Sequence, residues 1–241
     1  MKLIDFFERA YVINLSDRKD RRRMMVQELK KIEMPLTPNK TEILSAIRPD
    51  DAGEFPSVGA RGCFLSHLAI LKRAKEDRLG QVLIMEDDLT ISGRFKTHQE
   101  SLIDQLRRTD WGFVYFGHME AGASSPVTLR LFSGPMLTTH FYGINGVIFD
   151  RLLSFLEELQ RRPGGHPDGG PMHIDAAYST FRAQNPDIIT LIASPNLGWQ
   201  RSSRSDISCN NWFDQVPIFK QLVGVARAGK VLLKASATKQ K

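Results

Sequence analysis

The sequence predicts an α/β fold built on a mainly parallel sheet with helices on both faces. Three observations carry that expectation: apolar runs of strand length, helical-period segments between them, and polar or acidic residues where the runs stop. At 241 residues with 41% hydrophobic side chains, the chain is long enough to bury a full core.

Taken in order, Ala10 to Leu15 (AYVINL) reads as a first strand, with Asn14 near its end and Ser16 or Asp17 as cap of a helix running through Ile32. Residues 41–47 (TEILSAI) read as a second strand, followed by a loop rich in Gly, Pro and Asp that leads to Gly62. The next segment, CFLSHLAILKRAKEDRL, has Phe64, Leu68 and Leu71 on one helical face and Gly80 as its stop. It puts Ser66 and His67 in the first helical turn. The strand VLIMEDD comes next, then a helix from His98 to Arg108 and a strand at 111–117 (WGFVYFG). A hairpin region from Thr128 to Phe149, a helix from Asp150 to Arg161, a Gly- and Pro-rich loop at 162–171 and a short helix from about His173 complete the order. The division this suggests is one domain over residues 1–214 and a separate tail over 215–241.

Ligands of such sheets bind at the carboxyl ends of strands. Asn14, the triplet Glu86, Asp87 and Asp88, and His118 all fall at predicted strand ends, so one rim can hold them. Three adjacent carboxylates closing a buried strand repel one another unless a cation or several donors sit there. Mg²⁺ and Mn²⁺, which favour carboxylate and phosphate oxygens, suit such a triplet; the plainer alternative is a solvated strand-to-loop junction. Arg18, Arg21, Arg22 and Arg23 open the first helix, where N–H donors and guanidinium forks can hold a phosphate, or where they form a solvated basic face. Ser66 and His67 either contact a nucleotide or orient a carboxylate, or else are satisfied by backbone. His118 and Glu120 are similarly open. Asp175, beside His173 at a helix start, is either a general base or a helix cap. Gln200, Ser205 and Asp206 form a weaker polar group beside an aromatic.

Net charge is +6, and its placement is uneven: six basic side chains and no acidic one lie beyond Asp214. Lys220, Arg227, Lys230 and Lys234 form one helical stripe, opposite a mostly apolar one. This basic amphipathic tail suits peripheral contact with a membrane surface through residues 217–241, or an ordinary terminal helix packed on the domain. Nucleic acid is not expected, because aromatic residues do not interleave the charges. No apolar stretch reaches bilayer-spanning length, and the first residues carry acids where a secretory leader is apolar; the expected location is cytoplasmic, with the inner membrane face as a possible docking surface. Cys63 and Cys209 lie far apart without zinc-type spacing, so a structural zinc is not expected.

The segments YVINLSDRKDRR, GARGCFLSHLAIL, VLIMEDDLTI, HFYGINGVIFDR and MHIDAAYS, with SDI at 205–207, appear in an order that resembles glycosyltransferase family 25, whose members include lipopolysaccharide and lipooligosaccharide galactosyltransferases and collagen-modifying relatives. The resemblance implies a GT-A-like nucleotide-sugar fold, a UDP-hexose donor (galactose or glucose), a glycan or glycolipid acceptor such as lipopolysaccharide core, and inversion at the anomeric carbon. By the same analogy Asp88 is the metal ligand, for Mn²⁺ or Mg²⁺, and Glu86 and Asp87 contact ribose or water. Beyond the resemblance, the residue readings place Asn14, Arg18, Ser66 and His67 with them around the donor, and the mechanism expected from these takes Asp175 as the base and the 162–171 loop as closing over the donor. Two rival functions remain: a metal-dependent phosphohydrolase using the same acids, and a non-enzymatic membrane-surface adaptor acting through the tail.

Overall fold

The structure is a computed structural model and describes residues 1–122 and 125–201. The basic tail, Ser205, Asp206 and the boundary at residue 214 lie outside the described residues.

Among the described residues nine strands and seven α-helices follow one another: α1 (Leu3–Phe6), β1 (Arg9–Asn14), α2 (Lys19–Lys31), β2 (Thr41–Ser45), α3 (Val58–Glu76), β3 (Gln81–Glu86), β4 (Leu89–Ile91), α4 (Gly93–Thr97), α5 (Gln99–Arg107), β5 (Trp111–Tyr115), β6 (Thr128–Leu131), β7 (Phe141–Asn145), α6 (Phe149–Arg161), α7 (Ile174–Gln184), β8 (Ile189–Ser194) and β9 (Gly198–Gln200). Seven strands form one sheet in the order β2-β1-β3-β7-β5-β8-β6, while β4 and β9 pair separately. Five of the seven point the same way and only β7 and β6 run against them, which bears out the predicted mostly parallel α/β class.

Period-two alternation makes both sheet faces apolar. Tyr11, Ile13, Val82 and Ile84 pack with Phe64 and Leu68 of α3, Leu152 and Leu156 of α6, and Tyr178 and Phe181 of α7. Ala10, Val12, Leu83 and Met85 face the other way, onto Met25 and Leu29 of α2 and Leu102 and Leu106 of α5. Helices α2 and α3 thus lie on opposite faces, and the chain moves outward from β1 to β2 before crossing back to β3 on the far side. The carboxyl ends of β1 and β3 therefore flank the point where the winding reverses, the crevice in which open α/β sheets bind ligands.

Four expectations are corrected. The predicted hairpin over 128–149 does not exist: β6 is the sheet edge on β8, and β7 is inserted between β3 and β5. Neither Ser16 nor Asp17 caps α2; Arg18 occupies that position without a side-chain cap bond. Helix α3 begins well before Gly62, at Val58, because Ser57 Oγ accepts from the Ala60 N–H and caps it there. Ser66 and His67 are consequently mid-helix and fully buried. Strand β8 was not expected at all.

Candidate active site

A cavity of about 360 Å³ opens at the carboxyl rim, lined among others by Ile47, Arg48, Cys63, Ser66, His67, Glu86, Asp87, Asp88, Thr138, Thr139, His173, Asp175 and Gln200. Strand β3 delivers the acids at its tip. Because β7 runs antiparallel to β3, its beginning meets the same rim, and the Glu86 N–H donates to the His140 carbonyl at 2.9 Å. This brings Thr138 and Thr139 into the cavity, although nothing in a hairpin reading would place them there. Helix α7 contributes Asp175 from its first turn.

The three adjacent acids have unlike surroundings. Asp87 is buried and satisfied: Arg21 Nη1 donates to its Oδ1 at 2.9 Å, Asn14 Nδ2 donates to its Oδ2 at 2.7 Å, and Arg201 Nη2 donates to its carbonyl at 2.7 Å. Glu86 accepts from the Thr139 hydroxyl at 3.0 Å and from Gln200 Nε2 at 3.3 Å. Burial pushes its carboxyl up, but His67, His140 and the Thr139 hydroxyl more than offset this and hold it below the ordinary carboxylate value. Asp88 has only Arg21 Nη1, at 3.4 Å from Oδ2, while its buried Oδ1 has no hydrogen-bond partner among the described residues. Burial first, then the charges of Glu86 and Asp87, raise Asp88 to about 7 against the pull of Arg21 and Arg201. Asp175 is likewise raised to about 7, by burial and then by Glu86, although its Oδ1 accepts the Ala176 N–H at 2.8 Å.

Four carboxylates, Glu86, Asp87, Asp88 and Asp175, line this cavity; burial raises two of them, and Asp88 Oδ1 has no hydrogen-bond partner among the described residues. The residues present therefore fit a hard divalent cation, with Asp88 Oδ1 as the open oxygen ligand.

Several expected residues act from behind. Asn14 does not line the cavity; it holds Asp87 and donates to the Arg18 carbonyl at 3.2 Å. The Arg18 side chain turns to Asp20, at 3.2 Å, and Arg21 is the arginine that reaches the acids. Ser66 Oγ donates to the Gly62 carbonyl at 2.6 Å and accepts from the Ile47 N–H at 2.8 Å, so it fixes the cavity wall. That approach is close enough that a Cβ on Gly62 would sit 2.5 Å from the Ile47 carbonyl oxygen. His118 lies elsewhere, with Nε2 on the Ala193 carbonyl at 2.6 Å and Nδ1 accepting the Glu120 N–H. No residue of the 162–171 loop lines the cavity, and Arg162 ties that loop to the Asp168 carbonyl at 2.9 Å. Thr138 and Thr139 are the contributors least visible in the sequence, where their only signal was a polar pair beside an apolar run; Arg21 was one of four arginines weighed for phosphate, and the structure turns it onto the acids.

The acidic cavity thus lies at the switch point of a mostly parallel α/β sheet. A crystal structure of a glycosyltransferase involved in the glycosylation of the major capsid of PBCV-1 shares the fold, with a TM-score of 0.51 and 11% identity over 81% of this chain and 93% of that one. Residues 7–123 match the sequence model of glycosyltransferase family 25 (LPS biosynthesis protein), the family that the ordered sequence segments resemble. It is 28% identical over 199 residues to procollagen galactosyltransferase 2 of Homo sapiens, covering 75% of this chain and 31% of that protein. It is 23% identical over 154 residues to the human inactive glycosyltransferase 25 family member 3, covering 56% of this chain and 26% of that one. The chain thus spans a third or less of the length of these two relatives.

Proposed function

We propose that this chain is an active glycosyltransferase that moves a hexose, galactose or glucose, from a UDP-sugar to a hydroxyl of a glycan or glycolipid. The observation that carries this reading is the pairing of Asp88 and Asp175, both raised to about 7 and both facing one cavity at the strand ends. The match to the family model supports sugar transfer, and the GT-A-type donor geometry, metal dependence and inversion belong to this proposal.

Asp88, with Glu86 beside it, would hold Mn²⁺ or Mg²⁺. When bound, such an ion neutralises the diphosphate leaving the sugar. Arg21 and Asn14 keep Asp87 in place and so fix the backbone from which Glu86 and Asp88 project. Asp175 takes the proton of the acceptor hydroxyl while that oxygen bonds to the anomeric carbon and the bond from that carbon to the diphosphate oxygen breaks. A carboxylate with a pKa near the working pH is a more effective proton acceptor than one near 4. Attack from the face opposite the leaving group inverts the anomeric configuration.

The reading is tested by measuring transfer from UDP-galactose and UDP-glucose with and without excess chelator. Full turnover in chelator removes the metal role. Release of free sugar or phosphate without glycan product would indicate hydrolysis. A cytoplasmic location, with peripheral attachment through residues 217–241, is part of the same proposal. No helix among the described residues is long and apolar enough to cross a membrane.

A further inference from the structure

On the α3 side of Glu86 lies a second cluster, of which the transfer chemistry uses Glu86 alone. Cys63 and His67, four residues apart, share one face of α3, and that face turns towards the tip of β3. One ligand atom each from Cys63, His67 and Glu86 lies within 4.8 Å of the other two. His67 is completely buried, yet its Nε2 has no hydrogen-bond partner among the described residues; Glu86 Oε1, at 3.7 Å, is beyond hydrogen-bonding reach. The opposite nitrogen is fixed. Nδ1 lies 2.6 Å from the Tyr142 hydroxyl, the ring stacks on that of Tyr142, and the Tyr142 hydroxyl is braced by that of Tyr178 at 3.1 Å. A histidine oriented through one nitrogen with the other left open is arranged as metal-binding histidines are.

We propose that Cys63, His67 and Glu86 form a three-ligand site for a borderline divalent cation of the zinc type, separate from the hard-cation position at Asp88. Ligand chemistry decides the class of ion: a thiolate and an imidazole beside one carboxylate select zinc-like metals, whereas Mg²⁺ and Mn²⁺ favour oxygen. Tetrahedral zinc with bonds of about 2.0–2.3 Å holds its ligand atoms roughly 3.5 Å apart. All three residues line the cavity, so the fourth coordination position faces its interior. Binding releases the Cys63 thiol proton, and affinity rises with pH accordingly. Sequence spacing hid this site because the third ligand arrives from another element. The inference does not depend on the proposed transfer activity, and its test reads binding alone.

The metal-free full chain is titrated with Co²⁺, whose thiolate complexes absorb in the near ultraviolet. One equivalent should produce a sulfur-to-cobalt charge-transfer band that Zn²⁺ displaces and Mg²⁺ does not. Cys63→Ser should lose the band, while Cys209→Ser and Asp88→Asn should keep it. Tyr142→Phe should keep it with affinity weakened about 10- to 100-fold. In the unaltered protein, Zn²⁺ should slow alkylation of Cys63, read by peptide mass, which needs no variant to fold. Absence of the band, its survival in Cys63→Ser, its loss in Cys209→Ser, or alkylation unaffected by Zn²⁺ would each overturn the site.

Discussion

The two rims of the central sheet each carry a cavity, and the larger one is the less informative. At the amino rim a space of about 510 Å³ is bounded by Gln81, Trp111, Asn145, Arg151 and Asp187. Arg151 donates there to Asp187 at 2.6 Å and to Asn185 at 2.5 Å, and none of the residues lining it leaves a buried side-chain polar atom without a partner. At the carboxyl rim the smaller cavity holds His67 Nε2, Asp88 Oδ1 and Thr138 Oγ1, all buried and all lacking a partner among the described residues. Unmet hydrogen bonding and unmatched negative charge, rather than volume, mark where a ligand belongs, because leaving such groups unsatisfied costs about 1–3 kcal/mol each.

The sharpest test of that contrast is Asp175→Asn, for which kcat should fall about 10²- to 10⁴-fold while the thermal unfolding midpoint at neutral pH rises, since a buried charge is removed and Asn can still accept the Ala176 N–H. Near-normal turnover would remove Asp175 as the base. Arg21→Met attacks the matched side of the acidic tip. It takes the guanidinium away from the buried Asp87 carboxylate, which keeps its bond from Asn14, and should cost about 3–5 kcal/mol in urea unfolding.

Proton linkage gives a third test. Asp88 and Asp175 titrate near 7 when folded and near 3.8 when unfolded, so between those values the folded chain binds more protons than the unfolded one. Stability from these two groups is fully present below about pH 4 and is lost as pH rises through 7. Melting curves should show this slope in metal-free protein, and Mn²⁺ should raise the melting temperature more at pH 8 than at pH 5. At a hundredfold excess over Kd the gain is about 2.7 kcal/mol. An equal Mn²⁺ effect at both pH values would separate the ion from these carboxyls.

Smaller effects are expected further back. Ser66→Ala strips the Ile47 N–H of its acceptor and should cost about 1–3 kcal/mol, with a rise in donor KM because the cavity wall loosens. At the amino rim, Arg151→Ala breaks an exposed pair and should change stability by less than about 1 kcal/mol and turnover not at all. A large loss of activity there would reverse the comparison between the rims.

Much of the fold was legible because it rests on local periodicity. Runs such as AYVINL and VLIMEDD can only be buried strands, and the amphipathic stretch 150–161 is α6 almost to the residue. What escaped depended on partners distant in sequence. Strand β7 looked like half of a hairpin because β6 precedes it, yet it lies between β3 and β5. There Gly143 leaves room for Phe7, whose ring carbon would be 2.4 Å from an added Cβ. Strand β8, an apolar run after Asn185 and Pro186, went unread although its local pattern is that of a strand.

The site divides in the same way. The order of residues alone determined that three acids end a central strand, that Asp175 opens a helix, and that arginines follow the first strand, since these are facts of sequence and of local apolar period. Only the tertiary structure decided that Arg21 and Asn14 neutralise Asp87, that Asp88 is left short of donors, and that Cys63 and His67 of α3 meet Glu86. Those outcomes depend on which side chains converge within a few ångströms once the sheet is wound, and hydrogen bonding and desolvation are short-ranged enough for that convergence to set the chemistry.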